Sequence, residues 1–583
     1  MSLRASAIVF DPEHKKWLSF DQPTTVLCTH DLKQVRSIIE EVEKLCVEEG
    51  VWAVGWISYE AAPAFDPSLP VHAESTFPKV WFATFVEPAA RPTLQQSYEP
   101  TNLSWHPSVT EHEYKEIISR LKKYIRAGDT YQVNYSLRLQ ANAEVSSAAL
   151  FSSMIQAQAG AYSSLIETDD FTIASASPEL LFFKRGPSLV CKPMKGTSRR
   201  GRNSLEDREL SASLQACQKN RAENIMIVDM TRNDLSKIAE RGSVSVTDLC
   251  SVERYPHVLQ MTSTVEAKTK ASTYEILQGL FPAASITGAP KHETMRIISE
   301  LESTPRNIYT GSIGVISPED RSWFNVAIRT ALIDHSNKTV EYGIGSGIVW
   351  DSVPEHEYQE CLAKAAAVTI STPPHELFET ILWEPRSGLL LADHHLDRIE
   401  SSALYFGWRF LRVDAKDMLS QVAKKISSES APHRVKLFVS SDGTMRCEET
   451  PLTSLSSEYR VSLAKDPINS SDITLYHKTT NRRVYDRAEP RVLGSDDTIL
   501  WNERGEVTET KIANVCVSLD GILYTPPVEC GLLPGCYRQH LLRQGRIQER
   551  VITVDELLKS ERIVLCNSLR REWEAKLVVA TAL

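Results

Sequence analysis

None of the 11 cysteines in this 583-residue chain forms a CxxC pair. An odd number in a long chain fits a reduced, intracellular protein better than a disulfide scaffold. No uninterrupted apolar run approaches the ~18 residues that a membrane helix needs. The first residues, MSLRASAIVFDPEHKKW, offer one basic residue and a short apolar stretch, without a signal-peptide core. A basic excess is missing too. The formal net charge is -10, and neither half of the chain is net basic, which argues against a broad nucleic-acid surface. There is no internal repeat, no low-complexity tract and no Walker loop, and GIGSG at 343–347 is not GxGxxG. What is present is ordinary for a globular protein: 42% apolar and 24% charged residues. The expectation is a cytoplasmic, multidomain protein with no nucleic-acid or membrane partner.

The clearest break is Ser371-Thr372-Pro373-Pro374-His375, because Pro-Pro stops a helix and stiffens a connection. It divides the chain into 1–372, a linker at 373–375, and 376–583. A shorter seam, Glu87 to Pro92, sets off an N-terminal part of about 1–90. TIASASPELLFFKRG and YTGSIGVISPEDRSWFNVAIRTALID read as hairpin-rich β structure, with Gly, Pro and Asp at the turns. KNRAENIMIVDMTRNDLSKIAERG reads as a long helix closed by Gly242 in the C′ position. APKHETMRIISELEST reads as another, with Pro290 near its start. Strict βαβ alternation is absent, so a mixed sheet of the α+β class is expected rather than a Rossmann fold.

Four segments of the first part look specialised. Lys195-Gly196 puts an amine where backbone can approach a ligand closely. Glu179, sixteen residues upstream, is a candidate proton donor near that lysine. A helix with Arg221, Glu223, Asp229 and Asp234 interleaves charges with Ile225, Met226, Ile227 and Val228, so some charges should point inward. Glu357 and Glu360, at i,i+3, share a helix face. Carboxylates from two such helices, with waters and substrate oxygens, suit Mg²⁺. Taken singly, each segment also fits a solvated turn or an acidic helix start.

In order, SASPELL, KPMKGTSRRG, KNRAENIMIVDMTRNDLSKIAE, FPAASITGAPKHETMRIISELE, YTGSIGVIS, NVAIRT and GIGSGIVWDSVPEHEYQE resemble the chorismate-utilising enzymes, over roughly residues 110–370. The resemblance implies a mixed β-sandwich with surrounding helices, as in anthranilate synthase component I, and Mg²⁺ dependence. Lys195 stands where anthranilate synthases carry Ala, and lysine there marks the aminodeoxychorismate synthase component I branch. By motif match, Lys195 is the nucleophile, Glu179 the proton donor, and Glu223 and Glu360 the Mg²⁺ ligands. Gly196, Thr197, Tyr309, Arg329, Gly345, Ser346 and Gly347 would bind chorismate. Two departures stand out. Gln260 replaces a histidine that helps anthranilate synthases eliminate pyruvate, with His257 the nearest histidine, and glutamine is neither acid nor base at neutral pH. Ala283-Ala284 replaces the usual Gly-Gly.

After residue 376, DHHLDR, HKTTNR and NERGEVTE recur in the order seen in the class IV aminotransferases, a fold-type IV pyridoxal-phosphate family that includes aminodeoxychorismate lyase. The likeness places Lys478 at the cofactor-bearing lysine, Glu509 facing the pyridine nitrogen, and Arg398, Asn567 and Ser568 at the phosphate. Lyases and transaminases share these motifs, and the lyase reading comes from the neighbouring half. The expectation is a bifunctional enzyme of 4-aminobenzoate synthesis for folate, using chorismate and ammonia. No GxCxG elbow surrounds any cysteine, so ammonia is expected from a separate glutamine amidotransferase subunit. The class IV part is also an expected homodimer surface. The alternatives are an anthranilate or isochorismate synthase first half, with a D- or branched-chain amino acid transaminase or a non-catalytic dimerisation module behind it.

Overall fold

A computed structural model of the chain describes residues 4–72, 75–89, 103–142, 144–158, 160–256, 258–369, 376–454 and 458–579. The 371–375 break, Ala90–Pro92 of the shorter seam, and His257 lie outside the described residues. The chain forms two compact units. One comprises Met1–Arg200 and Leu210–Thr372, the other Gly201–Glu209 and Pro373–Leu583.

The first unit is built on a nine-stranded and a ten-stranded sheet, and every strand pairing described in them is antiparallel. Antiparallel strands can bury both faces only if each face has a partner. The inner faces meet in one core, where Val9, Phe20, Ile166 and Ile173 pack with Trp56, Phe85, Val315 and Trp323. Helices cover the two outer faces. Tyr114, Phe151, Ile297 and Cys361 lie against the first sheet, and Ile39, Val228 and Leu277 against the second. The helix Glu111–Ala127 shows how local chemistry sets these elements. Thr110 and Glu113 form a reciprocal capping box at its start, and Gly128 ends it in the left-handed region.

Two local expectations change. The two strands of TIASASPELLFFKRG do not pair with each other: Phe171–Ser175 forms its hairpin with Ser164–Thr168 in the first sheet, and Leu180–Arg185 forms its hairpin with Ser188–Lys192 in the second. The chain crosses between the sheets at Ala176–Glu179, so Glu179 lies on the crossing, just before Leu180–Arg185. The helix that starts at Gln218 ends at Ser236, well before Gly242, because the carbonyls of Asp234 and Leu235 are taken by the N–H groups of Lys237, Ile238 and Ala239 in a tightened last turn. The second predicted helix runs Lys291–Leu301 with Pro290 as its N-cap.

In the second unit a four-stranded antiparallel sheet, including Leu377–Glu384 and His433–Val439, packs on helices Ala392–Phe406 and Arg412–Lys425. An eight-stranded sheet follows, with parallel and antiparallel pairings. Pairing of Val507–Thr510 with Asn514–Leu519 closes six of its strands into a ring around Val461, Ile499, Val515 and Leu565. Closure leaves those strands without free edges.

Candidate active sites

In the first unit the pairing of Met194–Arg199 with Val258–Lys268 slips between Met194 and Thr197. Gly196 takes φ +97° in that slip, which a side chain would strain. Such an irregularity re-aims the neighbouring side chain, and the Lys195 amine points across the strand Thr339–Ile348. A Cβ placed on Gly347 would lie 2.3 Å from Lys195 Nζ, so glycine there leaves the amine its space. Lys195 Nζ is 4.0 Å from Glu223 Oε2. Asn224 Nδ2 donates to the Lys195 carbonyl at 3.1 Å. Burial lowers the Lys195 pKa, as does Lys364, against the pull of Glu223, Glu360 and Glu357.

Glu179 is buried and accepts a hydrogen bond from the Ser285 hydroxyl at 2.6 Å. Burial pushes its carboxyl up to about 7, despite Ser285, the Met194 N–H and the positive charge of Lys195. A carboxyl poised there can both give and take a proton near neutral pH. Glu360, on helix Pro354–Thr369, pairs with Lys364 at 2.7 Å, and Lys364 also donates to the Gly345 carbonyl at 2.7 Å. Burial raises the Glu360 pKa, but Lys364, Lys195 and Arg329 outweigh it and hold the group below the usual range. Arg329 sits at φ +53° and donates from Nη1 to the Lys364 carbonyl. Tyr309 is buried, its ring filling the space a Gly343 side chain would need and lying 5.1 Å from the Arg138 guanidinium.

Three positions behave differently from a simple motif transfer. Ser346 alternates away from Gly345 and Gly347, and its hydroxyl lies 2.9 Å from that of Tyr114 in the core. Only its backbone is available to a ligand. The Thr197 hydroxyl donates to Gln260 Oε1 at 2.9 Å, while Gln260 Nε2 donates to the Gly196 carbonyl at 2.9 Å. The glutamine thus fixes the backbone beside Lys195. Ala283 and Ala284 line a cavity of about 30 Å³ that also touches Glu179 and Ser285.

The second unit holds a cavity of about 350 Å³ lined by Arg398, Lys478, Glu509, Asn567 and Ser568, among others. All five residues expected at the cofactor therefore share it. Lys478 Nζ lies 4.7 Å from the centroid of the Phe378 ring. Burial, helped by the charge of Arg398, lowers its pKa to about 8. Glu509 accepts from the Tyr485 hydroxyl at 2.8 Å, the Leu533 N–H at 3.1 Å and Asn514 Nδ2 at 3.2 Å. Burial still pushes its carboxyl up to about 7. An opposite charge placed beside it would return it to carboxylate. Asn567 Oδ1 accepts from the N–H groups of Leu569 and Arg570, which shapes a turn at the cavity wall.

The sequence model of the chorismate binding enzymes matches residues 86–369, and that of the class IV amino-transferases matches residues 376–578. The protein joins a chorismate-binding domain to a class IV aminotransferase domain. Its chorismate-binding domain is similar to aminodeoxychorismate synthase component 1 of Bacillus subtilis (strain 168), 35% identical over 323 residues, 55% of this chain and 66% of that one. It is also similar to anthranilate synthase component 1 3 of Haloarcula marismortui, 42% identical over 260 residues, 44% of this chain and 51% of that one. The chain thus spans about half to two-thirds of the length of these curated relatives. The crystal structure of anthranilate synthase component I from Streptococcus pneumoniae TIGR4 has the same fold, with a TM-score of 0.51 at 23% identity over 63% of this chain and 93% of that one.

The chorismate-binding domain also shows a residue that sequence reading passed over. Gln132 is buried, both polar atoms of its amide lack a partner, and its Nε2 lies 3.4 Å from a Cβ placed on Gly347. An unsatisfied buried amide beside the Lys195 amine makes Gln132 a candidate ligand-facing position. Its signal in the sequence, a glutamine inside an otherwise apolar strand, is shared with many ordinary strands. Glu223 and Glu360, hard oxygen donors on two helices, fit Mg²⁺, which takes one or two carboxylates and completes its shell with substrate and water. In the class IV domain the fit to pyridoxal phosphate rests on the cavity itself. The half-buried Lys478 amine has no ion-pair partner among the described residues, and guanidinium and carboxyl groups stand at the other walls of the cavity.

Gly347→Ala follows directly from this packing. The new methyl collides with the flexible end of Lys195 alone and touches the Gln132 amide at ordinary contact distance, so folding is preserved within about 1 kcal/mol by thermal melt. The amine is displaced instead, and any activity that depends on its position should fall by about a hundredfold, the usual scale for a 1 Å misplacement. An unchanged rate would mean that Lys195 does not act where it now lies.

Proposed function

We propose that the protein converts chorismate to 4-amino-4-deoxychorismate in its first domain and then to 4-aminobenzoate and pyruvate in its second, a route that feeds folate synthesis. The observation that carries the first step is the Lys195 amine set between Glu179 and Glu223 on a glycine-lined strand. Lys195 attacks C2 of chorismate as the C4 hydroxyl leaves with a proton from Glu179. Ammonia then adds at C4 as the Lys195 nitrogen departs from C2. Mg²⁺, held by Glu223 and Glu360, would neutralise the ring carboxylate. The Arg329 guanidinium and the backbone at Gly345–Gly347 suit the remaining carboxylate oxygens. Ammonia comes from a separate glutamine amidotransferase subunit.

For the second step the charge of the cavity supports the lyase reading. Arg398, Arg434, Lys436, Lys478, Arg482, Lys511 and Arg570 line it, against Glu509 as the only acidic side chain there among the described residues. Such a wall suits a cofactor phosphate together with a substrate bearing two carboxylates, which aminodeoxychorismate has and a branched-chain amino acid lacks. Pyridoxal phosphate, held by Arg398, Asn567, Ser568 and Glu509, supplies an electron sink when bound. Lys478 Nζ takes the proton from the substrate carbon that bears the amine. Loss of pyruvate then makes the ring aromatic.

Incubation with chorismate and ammonium, with and without pyridoxal phosphate, tests both steps by product analysis. Aminodeoxychorismate should accumulate without the cofactor and 4-aminobenzoate appear with it, and chelating Mg²⁺ should stop only the first step. Anthranilate or isochorismate as product would overturn the first assignment. A second check uses pH. Glu179 donates only when protonated, so its contribution is present below about 7 and falls tenfold per unit above it. Lys195 attacks only when neutral, which has the opposite sign. The kcat/KM profile for chorismate therefore bends near pH 7. Glu179→Gln should lose that bend along with about 10²–10⁴ of the rate.

A further inference from the structure

Behind the wall of the second cavity, three buried side chains form one ionic unit. Glu379, on the strand Leu377–Glu384, accepts from both sides of the Arg398 guanidinium: Nε to Oε1 at 2.8 Å and Nη2 to Oε2 at 2.6 Å. The same Oε2 lies 2.6 Å from His395 Nδ1. Arg398 Nη1 donates to the Pro534 carbonyl at 3.1 Å, and Cys536 Sγ lies 3.6 Å from His395 Nδ1. His395 and Arg398 stand at i,i+3 on helix Ala392–Phe406 and both line the cavity, whereas Glu379 does not. His395 is 1% exposed, and its Nε2 is buried without a partner among the described residues.

A buried ring nitrogen without a hydrogen-bond partner is rare in a folded protein unless a ligand completes it. Two cations held by one carboxylate also leave a surplus positive charge at the cavity wall. We propose that Glu379 is the positioning residue for the Arg398 guanidinium, and that His395 offers, through Nε2, a second cationic donor to the same anionic group, the phosphate of the cofactor. The proposal rests on the reading of Arg398 as the phosphate residue. Glu379, His395 and Cys536 also bring three ligand atoms of metal-binding type together. Both oxygens of Glu379 are already engaged by Arg398, however, and an imidazolium has no lone pair for a metal. Burial would keep the ring neutral, but Cys536 and Glu379 push its pKa up to about 9. At neutral pH both ring nitrogens therefore carry hydrogen, and Nε2 donates. The carboxyl of Glu379, which burial alone would raise, is brought down to about 2 by Arg398 and His395, so the unit stays charged across the working range.

The experiment compares pyridoxal phosphate with pyridoxal, which lacks the phosphate, by absorbance titration of the full-length protein stripped of cofactor. His395→Gln and Glu379→Gln should each weaken pyridoxal phosphate by about tenfold, the scale of a charge-assisted hydrogen bond, and leave pyridoxal unchanged. Inorganic phosphate should compete with the cofactor in the wild type and about tenfold less well in the variants. Should Glu379→Gln fail to fold, His395→Gln decides alone, since it leaves the Glu379–Arg398 pair intact. Wild-type affinity in His395→Gln, or equal loss for both aldehydes, overturns the proposal while sparing the assignment of Arg398. A wild type that binds pyridoxal as tightly as its phosphate overturns both.

Discussion

Lys478→Ala should end the release of 4-aminobenzoate while aminodeoxychorismate continues to form. The second reaction should fall by at least about 10²–10⁴, because the same amine both holds the cofactor and moves the proton. Burial and Arg398 bring the Lys478 pKa to about 8. At pH 7 roughly one molecule in ten then carries the neutral amine, against about one in three thousand for an unperturbed lysine. Deleting a half-buried cation from a wall already crowded with cations costs little stability, so the melting temperature should hold or rise. The wild type should be yellow, and borohydride should fix the cofactor to a peptide that contains Lys478. Glu509→Ala should keep some cofactor and lose rate. A wild-type protein that binds no pyridoxal phosphate and stops at aminodeoxychorismate would instead make the second domain a dimerisation module.

Lys195→Ala should remove aminodeoxychorismate formation, or divert the product, and leave the second domain active on supplied aminodeoxychorismate. The expected loss is again about 10²–10⁴, read as product formed per unit time with folding checked by thermal melt. The amine stands between Glu223 and the space kept open by Gly347, with Glu179 poised near neutrality beside it. Alanine keeps the strand slip, since φ at Gly196 is untouched, and removes only the nucleophile. A variant with full rate would end the covalent role of Lys195 and leave the acid–base pair to explain the chemistry.

Much of this was legible in the amino-acid order. The helix Lys291–Leu301 follows Pro290, as the sequence implies. Lys195, Glu179, Glu223 and Glu360 were singled out by residue type before any coordinate placed them near one another. The five residues expected at the cofactor of the second domain, scattered from Arg398 to Ser568, do share one cavity. Motif residues can be found this way because each must keep its side-chain chemistry wherever the chain carries it.

Other features were settled by the tertiary structure. TIASASPELLFFKRG reads as β structure, but Phe171–Ser175 and Leu180–Arg185 join different sheets: each has one neighbouring partner, and the second partner of each lies more than a hundred residues ahead. The long helix stops at Ser236 through its own last-turn hydrogen bonds rather than at the glycine that punctuates the sequence. Ser346 turns its hydroxyl to Tyr114, Gln132 brings an unpartnered amide to Lys195, and Glu379 locks Arg398. Each of these depends on which atoms meet across distant segments. Periodicity records how often a side chain is buried along one element, whereas pairing, cavity walls and buried charge are set by partners that only the folded chain brings within a few ångströms.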